Sequence, residues 1–366
     1  MKITGVKLYP IKTRRDMLDV VSRHVIMRIS TDEGIVGLGE ISDVGHTEMM
    51  PDLEDFASNL TALLEGRDPF QIAAINMSLR GRYGGPIGGE TVAAVDFALH
   101  DIVGKALGTP VFNLLGGKVR DRIPVCYPIF TRRTEEDIYE DLTRVEFVYR
   151  EGFNRIRIYV GDNLEADELF LKRLRERYGT EIQIKSLDFS HRLHWKEAVR
   201  AIKRFLPYEF ELVESIAKRG DWAGMAEARK QVPVPVSEHV PDFATAAQII
   251  EKGACDVFNI SPVSFGLTNA RKLYAVAKAF GMEVLIGTTQ ELSIATAAVA
   301  HLGASLEELD HPCDSVGPRL YVEDVVVSRV KYENGELLVP EGVGLGMELD
   351  EEKLAALASP LTWRRE

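Results

Sequence analysis

Apolar positions along the chain fall into successive regimes, and the changes of period divide it. As far as Ser42 they alternate: VKLYPIK, HVIMRIS and IVGLGEIS carry the two-residue period of half-buried strands, and Thr31, Asp32, Glu33 and Gly34 supply a hairpin turn. From Met50 to Leu64, Pro69 to Leu79 and Thr91 to Leu107 the spacing becomes helical, and the third helix is Ala-rich and apolar on most sides, as a core helix is. The Gly-rich loop Gly81 to Glu90 precedes that helix, and LLGGKVRDRIP punctuates the chain near Arg120.

Beyond Arg120 short apolar runs alternate with helical segments. IPVCYPIF, FNRIRIYVG, IQIKSLD, FELVES, VPVSEH, DVFNISP and MEVLIG each precede a helix, and Leu309 to Cys313 can supply an eighth strand. Alternating units predict a parallel α/β sheet, and eight of them predict closure into a barrel. After Arg319 the text reverts to a hairpin, VVVSRVKYENGELLVP, with Glu333, Asn334 and Gly335 at the turn. A closed barrel has no edge to accept it, so it is expected to rejoin the N-terminal domain. The expected division is 1–120 for an α+β capping domain, 121–318 for the barrel and 319–366 for the return to the cap.

Composition removes some functions. Of the 366 residues 45% are hydrophobic and 27% charged, and no apolar run approaches the roughly 18 residues of a membrane span. MKITGVKLYP has no apolar signal-peptide core, which makes the cytoplasm the expected location. Cys126, Cys255 and Cys313 are few and far apart, as reduced thiols are. A net charge of −12 argues against nucleic acid, and it repels acidic small molecules unless a metal or local arginines reverse the field.

Candidate chemistry sits at strand ends. Asp188, Glu214 and the pair Glu238 and His239 end three consecutive strands about 25 residues apart, one strand-helix unit each. In a parallel barrel these ends share one face, so three oxygen or imidazole groups there make a candidate metal site, against the plainer reading that acids simply cap strands. Glu238 and His239 are neighbours on a strand and point to opposite faces, so only one of them faces the barrel mouth. On the preceding strand Arg157 and Tyr159 are two apart and share a face. Arginine holds its proton too tightly to act as a base. Tyrosine can act as one if a nearby cation lowers its pKa; otherwise Tyr159 is a wall residue and Arg157 a substrate clamp. GRYGGPIGGE is no phosphate cradle, since no strand precedes it and no GK[ST] ends it.

The order of these parts resembles the enolase superfamily, and within it the mandelate racemase branch, over nearly the whole chain, including ALHD at 98 to 101 and FGLTNA at 265 to 270. VCYPIF, RIYVG, DFSH, SEHV and GTTQELS resemble the strand tips of the second type of galactarate dehydratase. The resemblance implies a (β/α)7β modified TIM barrel under an α+β capping domain, a homo-oligomer, and Mg²⁺ held by Asp188, Glu214 and, as in that branch, His239. It implies Tyr159 as base with Arg157 beside it, in place of the usual Lys-x-Lys. It further implies a cap tyrosine, Tyr83, as acid, and contacts to an acid sugar from His46, Arg82, Lys185, Thr288 and Gln290. The His-Asp base pair of other members would fall at Gly287 and Ser261 and is missing, which favours one-base dehydration over racemisation. The implied activity is dehydration of galactarate to a 2-keto-3-deoxy acid. The alternatives are the same chemistry on another aldarate or aldonate, or a non-catalytic metal-dependent binding protein.

Overall fold

The computed structural model describes residues 1–16, 20–42, 44, 52–79, 88–130 and 134–359. The chain opens with an antiparallel sheet of β1 (Ile3–Arg14), β2 (Val21–Thr31) and β3 (Val36–Ile41), with β2 in the middle. Helices α1 (Leu53–Leu64), α2 (Ile72–Leu79) and α3 (Gly88–Leu107) follow. Val25, Met27 and Ile29 of the sheet meet Leu60, Leu64, Ala94 and Leu99 of the helices in a core of their own. Two glycines bring α3 against β3. A Cβ on Gly37 would lie 2.1 Å from the Ala98 carbonyl oxygen, and one on Gly39 2.1 Å from that of Ala94, so any side chain would push the helix off the sheet.

After the short α4 (Val111–Leu114) and β4 (Arg122–Pro124) the alternation begins. It runs β5 (Tyr127–Ile129), α5 (Glu135–Arg150), β6 (Arg155–Tyr159), α6 (Leu164–Tyr178), β7 (Gln183–Asp188), α7 (Trp195–Phe205), β8 (Phe210–Glu214) and α8 (Trp222–Arg229). It continues through β9 (Val236–Val240), α9 (Phe243–Lys252), β10 (Val257–Ile260), α10 (Leu267–Ala279), β11 (Glu283–Ile286) and α11 (Ser293–Ser305). Strands β5 to β11 pair in chain order, all parallel. The segment 310–314 bridges the two free edges. The Asp310 and Asp314 amides donate to Val284 (3.0 Å) and Ile286 (2.9 Å) on one side. On the other, Cys313 donates to Pro124 (2.8 Å) and Cys126 to Cys313 (2.9 Å). The expected barrel under a cap is therefore present, and residues 310–314 close it near the expected place, as a bridging segment rather than a regular eighth strand.

The C-terminal hairpin differs from expectation. Strands β12 (Tyr332–Glu333) and β13 (Glu336–Leu338) turn at Asn334 and Gly335, but β13 pairs with β4, just ahead of the barrel, through Leu337 and Ile123. The edge that accepts it belongs to β4, which runs ahead of β5 and joins the ring only through Pro124. The segment after Arg319 meets the cap sheet at both of its ends: the Val322 amide donates to Arg14 of β1 (3.0 Å), while α12 (Glu351–Leu357) packs on β1 and the Ser359 amide donates to Pro10 (3.0 Å). Buried acids tie the layers together. Glu40 of β3 accepts from the Leu292 and Ala295 amides at the start of α11 (2.7 and 3.0 Å). Asp96 of α3 accepts from the Leu267 amide at the start of α10 (2.7 Å). All three cysteines are buried free thiols. Among the described residues no helix is long and apolar enough to cross a membrane.

Candidate active site

Register brings the functional side chains level. Tyr159 pairs with Asp188, Asp188 with Glu214, and Glu214 with Ser237. Neighbours in register share a face, so Ser237 and His239 lie on the inward side with Glu214; Glu238 has the opposite parity, yet it too lines the cavity at the strand end, so the expectation that only one of the pair faces the barrel mouth does not hold. His239 confirms the parity. It pairs with Asn259, whose amide donates to Glu214 (3.2 Å) and Asp314 (3.3 Å) inside the barrel.

Arg157, 4% exposed, organises the inner layer. Its Nη2 donates to Asp188 and to Glu214 Oε1 (2.8 Å), and its Nη1 to Asp314 Oδ2 (3.0 Å). His239 Nε2 lies 2.9 Å from the same Glu214 oxygen. Lys185, wholly buried, places its ammonium 2.8 Å from Asp314 Oδ1. Two permanent cations, with His239 beside them, thus face three carboxylates. Burial opposes the charge on Glu214, but Arg157, His239 and Lys185 outweigh it and hold the group well below the ordinary carboxylate range. Burial likewise opposes protonation of His239, and Glu214 overcomes it and raises its pKa.

The phenol of Tyr159 behaves otherwise. Burial raises its pKa, Arg157 pulls it down, and Asp188, Glu214 and Asp314 push it up again, so it stands above its ordinary value rather than below. The expected lowering fails here because the guanidinium is shared among three carboxylates that also face the phenol. The ring lies stacked on Phe130 (centroids 5.6 Å apart, 15° between planes), with Arg157 Cζ 4.7 Å from its centroid. Phe130 in turn carries Arg15, from the cap, 5.6 Å from its own centroid.

Above this layer opens a cavity of about 580 Å³, lined among others by Tyr159, Asp188, His191, Glu238, His239 and Thr288. Glu238 is pushed up to about 8 by burial, against the lowering effect of His239. Its Oε1 accepts from the His239 amide (2.8 Å) and lies 3.5 Å from His191 Nε2, while its buried Oε2 has no hydrogen-bond partner among the described residues.

Sequence reasoning placed Arg157, Tyr159, Asp188, Glu214 and His239 together, and the barrel does bring them together. Lys185 requires correction as a substrate contact: its ammonium is consumed by Asp314 and does not line the cavity. Thr288 lines the cavity, its hydroxyl paired with Glu291. Gln290, at φ 69°, lines instead a small recess behind Tyr159 and Asp314. His46, Arg82 and Tyr83 lie outside the described residues. His194 caps α7 and Arg192 pairs with Asp162 (2.8 Å), so of that trio only His191 reaches the cavity. Asn259 and Asp314 were missed. A polar residue inside the apolar run VFNI could have flagged the first, and the tip position after the eighth strand the second.

Among the described residues no three His, Cys, Asp or Glu side chains stand in a metal-holding arrangement. The physical reason is Arg157, whose Nη2 lies between Asp188 and Glu214. That same contact tests the fit: a positive group already takes the place between two hard carboxylate oxygens, with His239 beside them, while Nη1 has a separate anchor on Asp314. Asp188 and Glu214 offer the hard oxygens that Mg²⁺ takes, whereas the imidazole of His239 is the softer donor and the weaker part of the fit.

A closed barrel with acids on successive strand tips beneath an α+β cap defines an enolase-like protein. Residues 141–353 match the family described as "Enolase C-terminal domain-like", and residues 3–116 match "Mandelate racemase / muconate lactonizing enzyme, N-terminal domain". The chain belongs to the mandelate racemase and muconate lactonizing enzyme family. It is 29% identical to muconate cycloisomerase 1 of Acinetobacter baylyi, over 91% of each chain. It is also 29% identical to the L-Ala-D/L-Glu epimerase of Clostridium acetobutylicum, over 93% of this chain and 94% of that one. Among solved structures, muconate cycloisomerase from Pseudomonas fluorescens superposes with a TM-score of 0.88 at 25% identity, covering 98% of this chain and 99% of the other.

Proposed function

We propose that the protein is a Mg²⁺-dependent acid-sugar dehydratase acting on galactarate, with Asp188, Glu214 and His239 as the metal ligands. The observation that carries this reading is the pairing of Arg157 and Tyr159 on one face of β6, level with those ligands, with no basic side chain at Gly287 or Ser261. A Cβ at Gly287 would lie 1.9 Å from Asn259 Oδ1, so a side chain there and Asn259 compete for the same space. Ser261, the other half of the missing pair, carries no basic group.

Bound to its three ligands, Mg²⁺ would draw electron density from the substrate carboxylate and so acidify the neighbouring carbon. Tyr159 takes the proton from that carbon. Arg157 favours the phenolate that must be present beforehand, against burial and the three carboxylates that together hold the phenol above its ordinary value, and the stacked Phe130 fixes the plane of the ring. His239 and Asn259 hold Glu214 in place. Tyr83 or His46 of the cap protonates the departing β-hydroxyl, water leaves, and the enol tautomerises to the 2-keto-3-deoxy acid. The net change is loss of one water molecule.

A second reading is the chemistry in the relatives' names, cycloisomerisation or epimerisation, which the 29% identities favour; Gly287 and Ser261 weigh against a His-Asp epimerisation only. The deciding experiment screens the Mg²⁺-loaded protein in D₂O against acid sugars, muconate and dipeptides, scoring 2-keto acid and α-deuterium, with Tyr159→Phe as control. Keto acid from galactarate that vanishes in the variant supports dehydration. Keto acid from another sugar alone shifts the substrate. Lactone formation or deuterium in a dipeptide without keto acid replaces the proposal with the second reading.

A further inference from the structure

The cavity has an inner end and a rim. Asp188 and His239 lie at the inner end, whereas Arg219, Trp222, Thr245 and Gln248 come from the segments after β8 and β9. Arg157 is also in the lining, but its guanidinium is committed to three carboxylates. Arg219 is the other lining arginine. It is exposed, and no hydrogen bond or ion pair engages it among the described residues.

Its backbone, by contrast, is well fixed. Lys218 Nζ donates to the Arg192 carbonyl, the Asp221 amide donates to Lys218 (2.9 Å), and the Asp221 carboxylate accepts from the Gly224 amide (2.9 Å) to start α8. Gly220 sits at φ 83°, which the turn needs and a side chain would resist. Trp222 Nε1 donates to Gln248 Oε1 at 2.7 Å, which engages the amide oxygen and leaves its NH₂ as the available donor. A cation, an amide N–H₂ and the Thr245 hydroxyl therefore border one side of the cavity on ordered segments. In a chain of net charge −12 such a cluster supplies the local positive field that an anion needs.

We propose that Arg219, with Gln248 and Thr245, forms a subsite for a second carboxylate, so that the substrate is a dicarboxylic acid bound by one carboxylate at the Asp188 end and the other at the rim. This rests on the preceding section only in placing the first carboxylate at the inner end. A six-carbon diacid fits a cavity of about 580 Å³.

Calorimetric titration with adipate and with hexanoate, in MgCl₂ at low ionic strength, tests the subsite without relying on turnover. The two probes differ by the distal carboxylate alone. Adipate is expected to bind about fivefold more tightly, the scale of an exposed charge pair, with the preference shrinking as salt is added. Arg219→Gln should abolish the preference and Arg219→Lys should retain part of it. Equal affinities in the wild type, no binding of either probe, or a preference that survives Arg219→Gln would overturn the subsite. If the acid-sugar screen stays silent while Arg219→Gln erases the adipate preference, the dehydratase reading falls and the subsite stands. Galactarate turnover with equal probe affinities gives the converse.

Discussion

Glu291 shows how one side chain near the cavity can set the pH response of the whole fold. It is fully buried, with one oxygen on the Thr288 hydroxyl and the other accepting from the Thr289 amide at 2.7 Å. Burial pushes it up to about 7, and those hydrogen bonds only partly oppose the rise. A carboxyl raised in this way keeps, in the folded state, a proton that the unfolded chain gives up near pH 4.5. Its contribution is therefore intact below about pH 4.5 and is lost as the pH climbs through about 7. The loss amounts to roughly 3 kcal/mol at most. Glu291→Gln, which cannot ionise, should show a flatter dependence of melting temperature on pH than the wild type between pH 5 and 7. Parallel slopes would mean that Glu291 does not titrate there. Arg157 illustrates the opposite arrangement: a buried charge satisfied by Asp188, Glu214 and Asp314 together, whose removal would leave Glu214 to His239, Asp314 to Lys185 and Asp188 without its cation.

At the level of elements, helix α11 depends on another part of the chain for its first turn. Its N-cap residue, Leu292, has no side chain that can accept a hydrogen bond, and Glu40 from β3 accepts from Leu292 and Ala295 instead. A carboxylate at a helix start both satisfies free amides and opposes the helix dipole. Glu40→Gln should cost about 2 kcal/mol, read as a lowered midpoint in urea. An unchanged midpoint would show that the amide oxygen caps the helix as well as the carboxylate does. Such long-range caps are illegible in sequence, because nothing local marks Glu40 as the partner of a helix that begins at Ser293. The strands and helices themselves were legible, since period 2 and period 3.6 depend only on near neighbours. The hairpin after Arg319 was readable as a hairpin for that reason. Its destination was not, because β4 is short and its free edge exists only in three dimensions.

For the molecule as a whole, barrel closure turns dispersed residues into one site. Asp188, Glu214 and His239 were readable because strand tips recur at a regular interval. Asp314 and Asn259 gain their meaning only when the ring closes and sets them against Arg157 and Lys185. The direction of the Tyr159 shift was also hidden, since it depends first on burial and then on the balance between one guanidinium and three acids, rather than on the spacing of Arg157 and Tyr159. A ligand that binds only the folded state stabilises it by mass action, about 2.7 kcal/mol at a hundredfold excess over its dissociation constant. Mg²⁺ should therefore raise the melting temperature by several degrees. Chelator should reverse the rise and Asp188→Asn should abolish it. A wild-type melting temperature indifferent to Mg²⁺ would remove Asp188, Glu214 and His239 from consideration as a cation site.

The bond between Lys185 and Asp314 also orders events in time. During synthesis Lys185 leaves the ribosome well over a hundred residues before its counter-ion, and the stretch that carries Asp314 is the one that seals the ring. Until it emerges, the nascent barrel has an open seam and a lysine that cannot be buried without penalty. The chain is thereby kept from settling into a finished core too early. A fragment ending at Ser305 would stay loosely packed and open to proteases, and the last stave would bring neutralisation and closure in one step.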